Sequence, residues 1–215
     1  MKLGLVSDIH GHRHALEAVV ADAARHGVER WWALGDLVAI GPEPVQTLEL
    51  LAKLPAVQVT SGTTERYVLT EDRPPPYPDD VITRPELLDV YGVIQRSFAW
   101  TCGAVAAHGW LDWLRDLPLE VRTVLPDGTA VLGVHASPGR DDGEGITPHR
   151  RVEELERGAG VSALAAASRA SGAPGAMPVG LGAGLDDVGV ERDPVAHRHG
   201  RLARWWRPPP GIRRD

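Results

Sequence analysis

The chain has 215 residues, of which 43% are hydrophobic and 24% are charged. This composition is typical of a soluble globular protein, and the length fits one α/β domain, not two full domains. The net charge of −6 argues against general binding to nucleic acids or membranes, because both present negative phosphates. A single cysteine, Cys102, excludes an internal disulfide framework. With no apolar run of membrane-spanning length and no secretory-type apolar segment at the start, we expect a cytoplasmic protein.

Three short apolar runs near the start of the chain have the length of buried strands. They cover residues 3–6, 31–34 and 57–59, and they end at Ser7-Asp8, Gly35-Asp36 and Ser61-Gly62. Between them, residues 14–26 and 46–54 carry apolar side chains at helical spacing. Strand, polar turn and helix therefore repeat in the order of an α/β sandwich, which is the fold class that we predict.

The next part of the chain contains a proline-rich segment, a long helical segment and a hairpin. We expect residues 71–85 to form an extended surface excursion near the site, not a helix, because proline removes backbone donors and clashes with the preceding turn. Residues 85–117 have a helical pattern. Two predicted strands, 121–125 and 129–134, flank a Pro-Asp-Gly turn signal, and the second strand ends at His135.

The composition changes at about residue 156. We therefore divide the chain into a core, residues 1–156, and an atypical C-terminal segment, residues 157–215, which is rich first in Gly and Ala and then in Arg and Pro. This segment offers little apolar area to offset the entropy lost on ordering, so we expect it to be poorly packed. A shifted reading frame and a diverged terminus are both compatible with such a composition.

Residues of the metal-binding type follow three of the predicted strands. Asp8 and His10 follow the first strand, Asp36 the second and His135 the last strand of the hairpin. Carboxylate oxygen and imidazole nitrogen together suit Mn, Fe or Zn better than Ca. Taken singly, a Gly-Asp after an apolar run is most often a turn, and a lone histidine is more often a packed or surface residue. The ordered combination instead predicts a metal site, with Asp36 able to bridge two ions about 3.5–4 Å apart.

Four blocks of sequence occur in a defined order: residues 7–11 (SDIHG), 35–42 (GDLVAIGP), 61–66 (SGTTER) and 133–138 (GVHASP). Over about residues 1–150, this order resembles calcineurin-like metallophosphoesterases, and most closely the small phosphodiesterases of the YfcE type. The resemblance implies a four-layer α/β/β/α sandwich with two divalent metal ions at the strand ends. Mn is the favoured metal over Fe, Zn or Ni. By this likeness Asp8 and His10 bind one ion, Asp36 bridges, and His135 binds the other.

The chain departs from the pattern of that family at two places. Thr63 and Thr64 stand where members usually carry a metal-binding asparagine and, in many cases, a histidine that protonates the leaving group. Thr63 is therefore a doubtful ligand, and general-acid help of about 10²–10⁴-fold would be absent or supplied elsewhere. The family's late Gly-His-x-His is also missing. Its nearest counterpart is His197 with His199, which we interpret either as a metal-binding pair or as exposed histidines of a basic tail.

Two further residues are candidates for contact with the substrate. Arg66 follows the Gly62 turn and could face a substrate phosphate, because guanidinium matches phosphate geometry. His12 could line the same cleft. The leading hypothesis is metal-dependent hydrolysis, by a water that bridges the metals, of a phosphodiester or a small phosphorylated metabolite. The alternative is a weak or inactive family member that acts as a ligand-binding or regulatory module. A metal content near two ions per chain favours the enzyme, and one or none favours the alternative.

Overall fold

Three strands in the described part of the chain form a parallel first sheet. The computed structural model describes residues 1–143 and the backbone of a short strand at 163–166. The strands of the first sheet are β1 (Leu3–Val6), β2 (Arg30–Leu34) and β3 (Val57–Thr60), in that order across the sheet. β2 lies in the middle, with Gly4 opposite Trp31 on one side and Trp31 opposite Val57 on the other. All three carboxyl ends therefore lie at one edge, as the apolar runs predict.

Helices connect these strands and then form a longer helical stretch. They are α1 (Arg13–Arg25), α2 (Pro44–Leu51), α3 (Thr63–Leu69), α4 (Pro78–Thr83), a 3-10 turn (Pro85–Leu87), α5 (Leu88–Ala107) and α6 (Leu111–Arg115). The predicted helical region 85–117 is interrupted at Gly109, whose φ of 75° ends α5 in the left-handed conformation that glycine accepts readily.

The second sheet combines an antiparallel hairpin with one parallel strand. β4 (Glu120–Val124) pairs antiparallel with β5 (Ala130–Val134), as the turn signal predicts, and Gly128 supplies the positive φ of 87° in the connection. β6 (Ala163–Ala166) pairs parallel with β5 on its other side. This strand lies beyond residue 156, so the second sheet continues past the boundary that we predict for the core. The remaining residues of the C-terminal segment lie outside the described part of the chain.

The core has two parts because the two faces of β2 are covered by different layers. Trp31 and Ala33 belong to a cluster that contains the buried side chains of the helices. Trp32 and Leu34 point the other way and pack with Val121 and Val131 of the second sheet. The described layers are therefore helices, first sheet and second sheet, which is the α/β order expected of the sandwich. A fourth layer would have to come from residues outside the described ranges.

The structure corrects one prediction about secondary structure. Residues 71–85 are not extended throughout, because α4 begins at Pro78 and runs to Thr83. Pro78 stands in the first turn of the helix, where a backbone N–H would have no helical partner, so proline does not disrupt it there. The Asp80 carboxylate accepts the Tyr77 N–H at 2.9 Å and caps the helix. The rule that excludes proline applies to helix interiors.

Within residues 1–143 and 163–166, the longest helices are too short or too polar to cross a lipid bilayer.

Candidate metal centre

The loops that follow β1 and β2 are joined to each other by backbone hydrogen bonds. The N–H of Asp8 donates to the Gly35 carbonyl oxygen at 3.1 Å, and the N–H of His10 donates to that of Asp36 at 2.9 Å. A third bond of 2.8 Å runs from Gly11 to Leu37. The pairing of the sheet thus continues past the strand ends, and it holds the two loops that carry the candidate ligands side by side.

Asp36 lies between two histidines that come from different sheets. Its Oδ2 atom is 3.7 Å from His10 Nε2, and its Oδ1 atom is 3.4 Å from His135 Nε2. Asp8, His10 and Asp36 each offer one ligand-type atom, and these atoms lie within 4.8 Å of one another. Three of the residues predicted to bind metal, Asp8, His10 and His135, are therefore grouped around the carboxylate of the fourth, Asp36.

The hydrogen bond of His135 determines which ring nitrogen faces the site. His135 is fully buried, and its Nδ1 atom lies 2.7 Å from the Leu34 carbonyl oxygen. Because a carbonyl oxygen can only accept, Nδ1 carries a proton, so in the neutral ring Nε2 presents its lone pair. No described residue hydrogen-bonds to this buried Nε2 atom, which faces the Asp36 carboxylate. Two acceptors that face each other at 3.4 Å form an arrangement that a cation between them would stabilise.

Three of the candidate ligands have left-handed backbone conformations, which are uncommon for residues other than glycine. Asp8, His10 and Asp36 have φ values of 52°, 50° and 53°. Left-handed conformations of non-glycine residues cost about 1–3 kcal/mol each and are concentrated at functional sites. The three positions are therefore held in strained geometry by their surroundings.

Glu65 supplies much of that restraint. It is fully buried in α3, and one of its oxygens accepts the N–H groups of Asp36 and Gly62, each at 2.8 Å. Its other oxygen accepts those of Leu37 and Val38 at 2.8 and 3.1 Å. Burial and the neighbouring Asp36 carboxylate raise the pKa of Glu65 to about 7, while the N–H bonds act in the opposite direction. The side chain organises the Asp36 loop without being one of the candidate ligands.

Glycine is required where the backbone of this loop meets its neighbours. A Cβ atom on Gly35, whose φ is 77°, would lie 2.7 Å from the Cα of Gly62 and 2.7 Å from the His135 ring. A Cβ atom added to Gly62 would lie 2.3 Å from the Asp36 nitrogen. These contacts are shorter than side chains tolerate, so both glycines permit the close approach that brings His135 to Asp36.

The Asp8 carboxyl group is at the solvent side of the site. Its side chain is reached by water, yet the surrounding protein desolvates the carboxyl group and raises its pKa. A hydrogen bond from Ser7 opposes this, and repulsion from Asp36 adds to it. A cation at the site would reverse the balance, because it favours the ionised form of both carboxylates.

Thr63 and Arg66 make contacts that the sequence did not suggest. The Thr63 hydroxyl donates to the backbone carbonyl oxygen of Asp141. The Arg66 guanidinium forms ion pairs with Asp141 at 2.8 Å, Asp72 at 2.7 Å and Asp142 at 3.0 Å. Its charge is therefore balanced by protein carboxylates, and contact with a substrate phosphate would require an exchange of partners. The roles of Thr63 and Arg66 in metal and substrate binding stay predictions.

The other predicted residues stand as follows. His12 is exposed at the start of α1 and has interactions of its own. The buried Thr64 hydroxyl donates to the Val38 carbonyl oxygen at 3.1 Å, and the Thr64 N–H donates to Asp36 Oδ1 at 2.8 Å. His197 and His199 lie outside the described residues.

The part played by Glu65 was not predicted from the sequence, although a signal was present. A glutamate at the third position of a helix can accept the N–H of the residue that precedes the helix, and Glu65 stands at that position after Gly62. The pairing of Asp141 and Asp142 with Arg66 had no comparable signal, because 75 and 76 residues separate the partners.

Comparison with known proteins places this site in a family. Residues 1–158 match the calcineurin-like phosphoesterase superfamily domain. The chain belongs to this superfamily. The match covers both described sheets up to β5 and all four grouped residues, and it confirms the predicted superfamily and fold class. The narrower likeness to YfcE-type phosphodiesterases stays a prediction.

The chain is also similar to individual proteins. An uncharacterised protein of Methanocaldococcus jannaschii is 28% identical over 136 residues, which are 63% of this chain and 49% of that protein. The chain thus spans about half the length of this curated relative. A crystal structure of a hypothetical protein from Pyrococcus horikoshii superposes with a TM-score of 0.60 at 23% identity, over 77% of this chain and 68% of that one. A metallophosphoesterase structure from Sphaerobacter thermophilus gives 0.48 at 27% identity, over 68% and 51%.

Proposed function

We propose that the protein hydrolyses a phosphoester with two divalent metal ions held around Asp36. The observation that carries this proposal is that each carboxylate oxygen of Asp36 faces a different histidine, at 3.7 Å and 3.4 Å. Oδ1 accepts the Thr64 N–H at 2.8 Å, and a carboxylate that only stabilised the fold would be expected to face further hydrogen-bond donors. Here Oδ1 also faces His135 Nε2, which carries a lone pair in the neutral ring, an arrangement that suits a shared cation.

The residues present fit such a group of metals. Asp8, His10 and Asp36 supply one cluster of oxygen and nitrogen ligands, and Asp36 with His135 supply the beginning of a second. A histidine that binds metal through one ring nitrogen commonly donates the N–H of its other ring nitrogen to a carbonyl or carboxylate oxygen. The hydrogen bond from His135 Nδ1 to the Leu34 carbonyl oxygen is of this kind. Carboxylate and imidazole together suit Mn, Fe, Zn or Ni, and we retain Mn as the favoured metal. The described part of the chain offers fewer ligands to the second ion than to the first.

When bound, two divalent ions acidify a water molecule and neutralise the charge that develops on the phosphoryl oxygens. The chain's own residues hold and orient this centre. Glu65 fixes the Asp36 loop, and the Leu34 carbonyl oxygen fixes the His135 ring. The Thr64 N–H bond to Asp36 Oδ1 sets the carboxylate plane.

The position of Thr64 restricts the substrates that we propose. Its hydroxyl is buried and already donates to Val38, so it cannot protonate a leaving group. Esters whose leaving group is stable as an anion, and so needs no proton from a general acid, should therefore react fastest. This favours activated phosphodiesters and small phosphorylated metabolites with acidic leaving groups. Binding of a small molecule also agrees with the negative net charge, which disfavours long nucleic acids.

Hydrolysis of bis(p-nitrophenyl) phosphate with added Mn tests the proposal. We expect wild-type turnover that chelation abolishes, and we expect Asp36→Asn to lower kcat at least about 100-fold, because the amide cannot serve both ions as the carboxylate does. The matched control is Asp112→Asn, since the Asp112 side chain is 88% exposed on α6. Equal rates in Asp36→Asn and wild type would refute the assignment.

Metal content separates this proposal from the alternative of an inactive binding module. Metal analysis of Mn-treated wild-type protein after gel filtration should approach two ions per chain and fall in Asp36→Asn. A content of one ion or none, together with no turnover, would support the inactive module instead.

A further inference from the structure

A pocket formed by α3, the proline-rich segment and α5 is lined by every tyrosine of the chain. Its volume is about 440 Å³, and its lining includes Tyr67, Tyr77 and Tyr91. The sequence has three tyrosines in all. Ligand pockets commonly have volumes of about 300–1,000 Å³. We call this space the tyrosine pocket.

Helix α3 and the loop after His135 connect the tyrosine pocket to the Asp36 site. Thr64 contacts the Asp36 carboxylate, and Tyr67 lies three residues further along the same helix, which is about 5 Å of helix rise. On the opposite side, Asp142 lines the pocket and lies on the loop that follows His135. The two elements that carry candidate site residues therefore also form walls of the pocket.

The aromatic wall at Tyr67 is held in a fixed orientation. The Tyr67 ring packs edge-to-face against Phe98 with centroids 5.6 Å apart, and the Arg66 guanidinium lies 4.9 Å from the Tyr67 centroid. Arg66 is itself fixed by its three carboxylate partners, as described above. Arg73 donates to the carbonyl oxygens of Tyr67 and Thr70 at 2.6 and 2.8 Å. A preorganised wall binds a flat ligand without losing further side-chain entropy.

The charges around the pocket indicate a ligand group that carries no phosphate of its own. Glu71, Asp72 and Asp142 line it, whereas the two arginines of the lining already bond to carboxylates or to carbonyl oxygens. A second phosphate would meet net negative charge there. An uncharged group with N–H donors at its edge would instead find the Glu71 carboxylate and the Gln95 amide, and its face would find tyrosine rings.

We propose that the tyrosine pocket binds the heterocyclic base of a nucleoside phosphoester whose phosphoryl group lies at the Asp36 centre. The proposal rests on the proposed function for the position of the phosphoryl group. It adds the substrate class, because a planar group with hydrogen-bonding edges is what this combination of rings, amide and carboxylates recognises.

Binding measurements test the proposal without requiring turnover. Calorimetric titration of the Mn-loaded full chain would use three monoesters with the same phosphoryl group: adenosine 5′-monophosphate, phenyl phosphate and methyl phosphate. We expect the nucleotide to bind at least about tenfold more tightly than methyl phosphate, which is the size expected of one aromatic stacking contact, with phenyl phosphate in between. Equal dissociation constants for the nucleotide and methyl phosphate would overturn the proposal. Equal constants for the nucleotide and phenyl phosphate would overturn the assignment to a base.

Variants localise the effect to the pocket. Tyr77 is 53% exposed, so Tyr77→Ala removes little packing, and we expect the advantage of the nucleotide over methyl phosphate to fall severalfold. Tyr91→Ala should lower it similarly, and Tyr77→Phe should retain it because the ring remains. The control is Trp100→Ala, an aromatic side chain on the same helix as Tyr91 that is 43% exposed and is not among the residues that line the pocket. If the tyrosine-to-alanine variants still bound the nucleotide as much more tightly than methyl phosphate as wild type does, the proposal would be overturned.

The two proposals fail in different ways. Absent hydrolysis of bis(p-nitrophenyl) phosphate, with tight tyrosine-dependent nucleotide binding, would refute the proposed function and leave the base pocket supported. Metal-dependent hydrolysis without any nucleotide advantage would support the function and refute the base pocket.

Discussion

Replacing Gly35 with alanine should destabilise the protein and displace His135, whereas the same replacement at Gly103 should not. Gly35 has a φ of 77°, and an added Cβ would lie 2.7 Å from both the Gly62 Cα and the His135 ring. Alanine in the left-handed region costs about 1–2 kcal/mol. Overpacking against backbone and a buried ring adds about 1–3 kcal/mol. We therefore expect the free energy of unfolding to fall by about 2–5 kcal/mol.

Gly103 provides the matched control. It lies within α5, and nothing is within 4 Å of the position that its Cβ would occupy. Alanine is favoured over glycine inside a helix by about 0.5–1 kcal/mol, so Gly103→Ala should stabilise slightly. Urea unfolding followed by fluorescence of the seven tryptophans measures both variants. With about 2–4 °C per kcal/mol for a protein of this size, the melting temperature of Gly35→Ala should drop by about 4–20 °C. A Gly35→Ala protein as stable as wild type, with unchanged metal content, would refute the close packing of these loops.

Two other predictions concern charged groups next to the site. Arg66→Lys should lower the free energy of unfolding by about 1 kcal/mol in low salt and by less in high salt. One ammonium group cannot form ion pairs with three carboxylates in the way that a guanidinium does. Thermal melts at two salt concentrations measure this difference. In protein freed of metal by a chelator, the raised pKa of Glu65 adds to the free energy of unfolding. This contribution should be fully present below the ordinary pKa of 4.5 and should be lost as the pH rises to about 7. The unfolding free energy should then fall more steeply between pH 5 and 7.5 in wild type than in Glu65→Gln. Parallel curves would contradict this.

Much of the fold could be predicted because its signals are local. Apolar runs of strand length and helical spacing identify β1, β2, β3 and the helices between them, and a Pro-Asp-Gly turn identifies the hairpin of β4 and β5. The positions of Asp8, Asp36 and His135 at strand ends then predict that they meet, and the structure brings them together. The identity of the metal, the cytoplasmic location and the roles of His197 and His199 stay predictions.

The remaining features depend on contacts that no local pattern encodes. The tyrosine pocket joins α3, the proline-rich segment and α5, whose tyrosines are spread over residues 67–91. The helical start at Pro78 is decided by the Asp80 cap, which outweighs the general preference of proline-rich segments for extended structure. The Arg66 ion pairs join α3 to the loop after β5 across more than 70 residues. Ion pairs between residues so far apart in the sequence form only when the helices and sheets pack against each other.

The strain at the candidate ligands and the hydrogen bonds of Glu65 are best understood together. Three left-handed residues, Asp8, His10 and Asp36, would together cost about 3–9 kcal/mol if nothing compensated them. Four N–H bonds to the buried Glu65 carboxyl group, each worth about 0.5–1.5 kcal/mol, are of comparable size. They act on the Asp36 loop, and the backbone bonds from Asp8 and His10 transmit the restraint to the β1 loop. A residue that binds neither metal nor substrate can therefore determine whether the centre is formed before its ligands arrive.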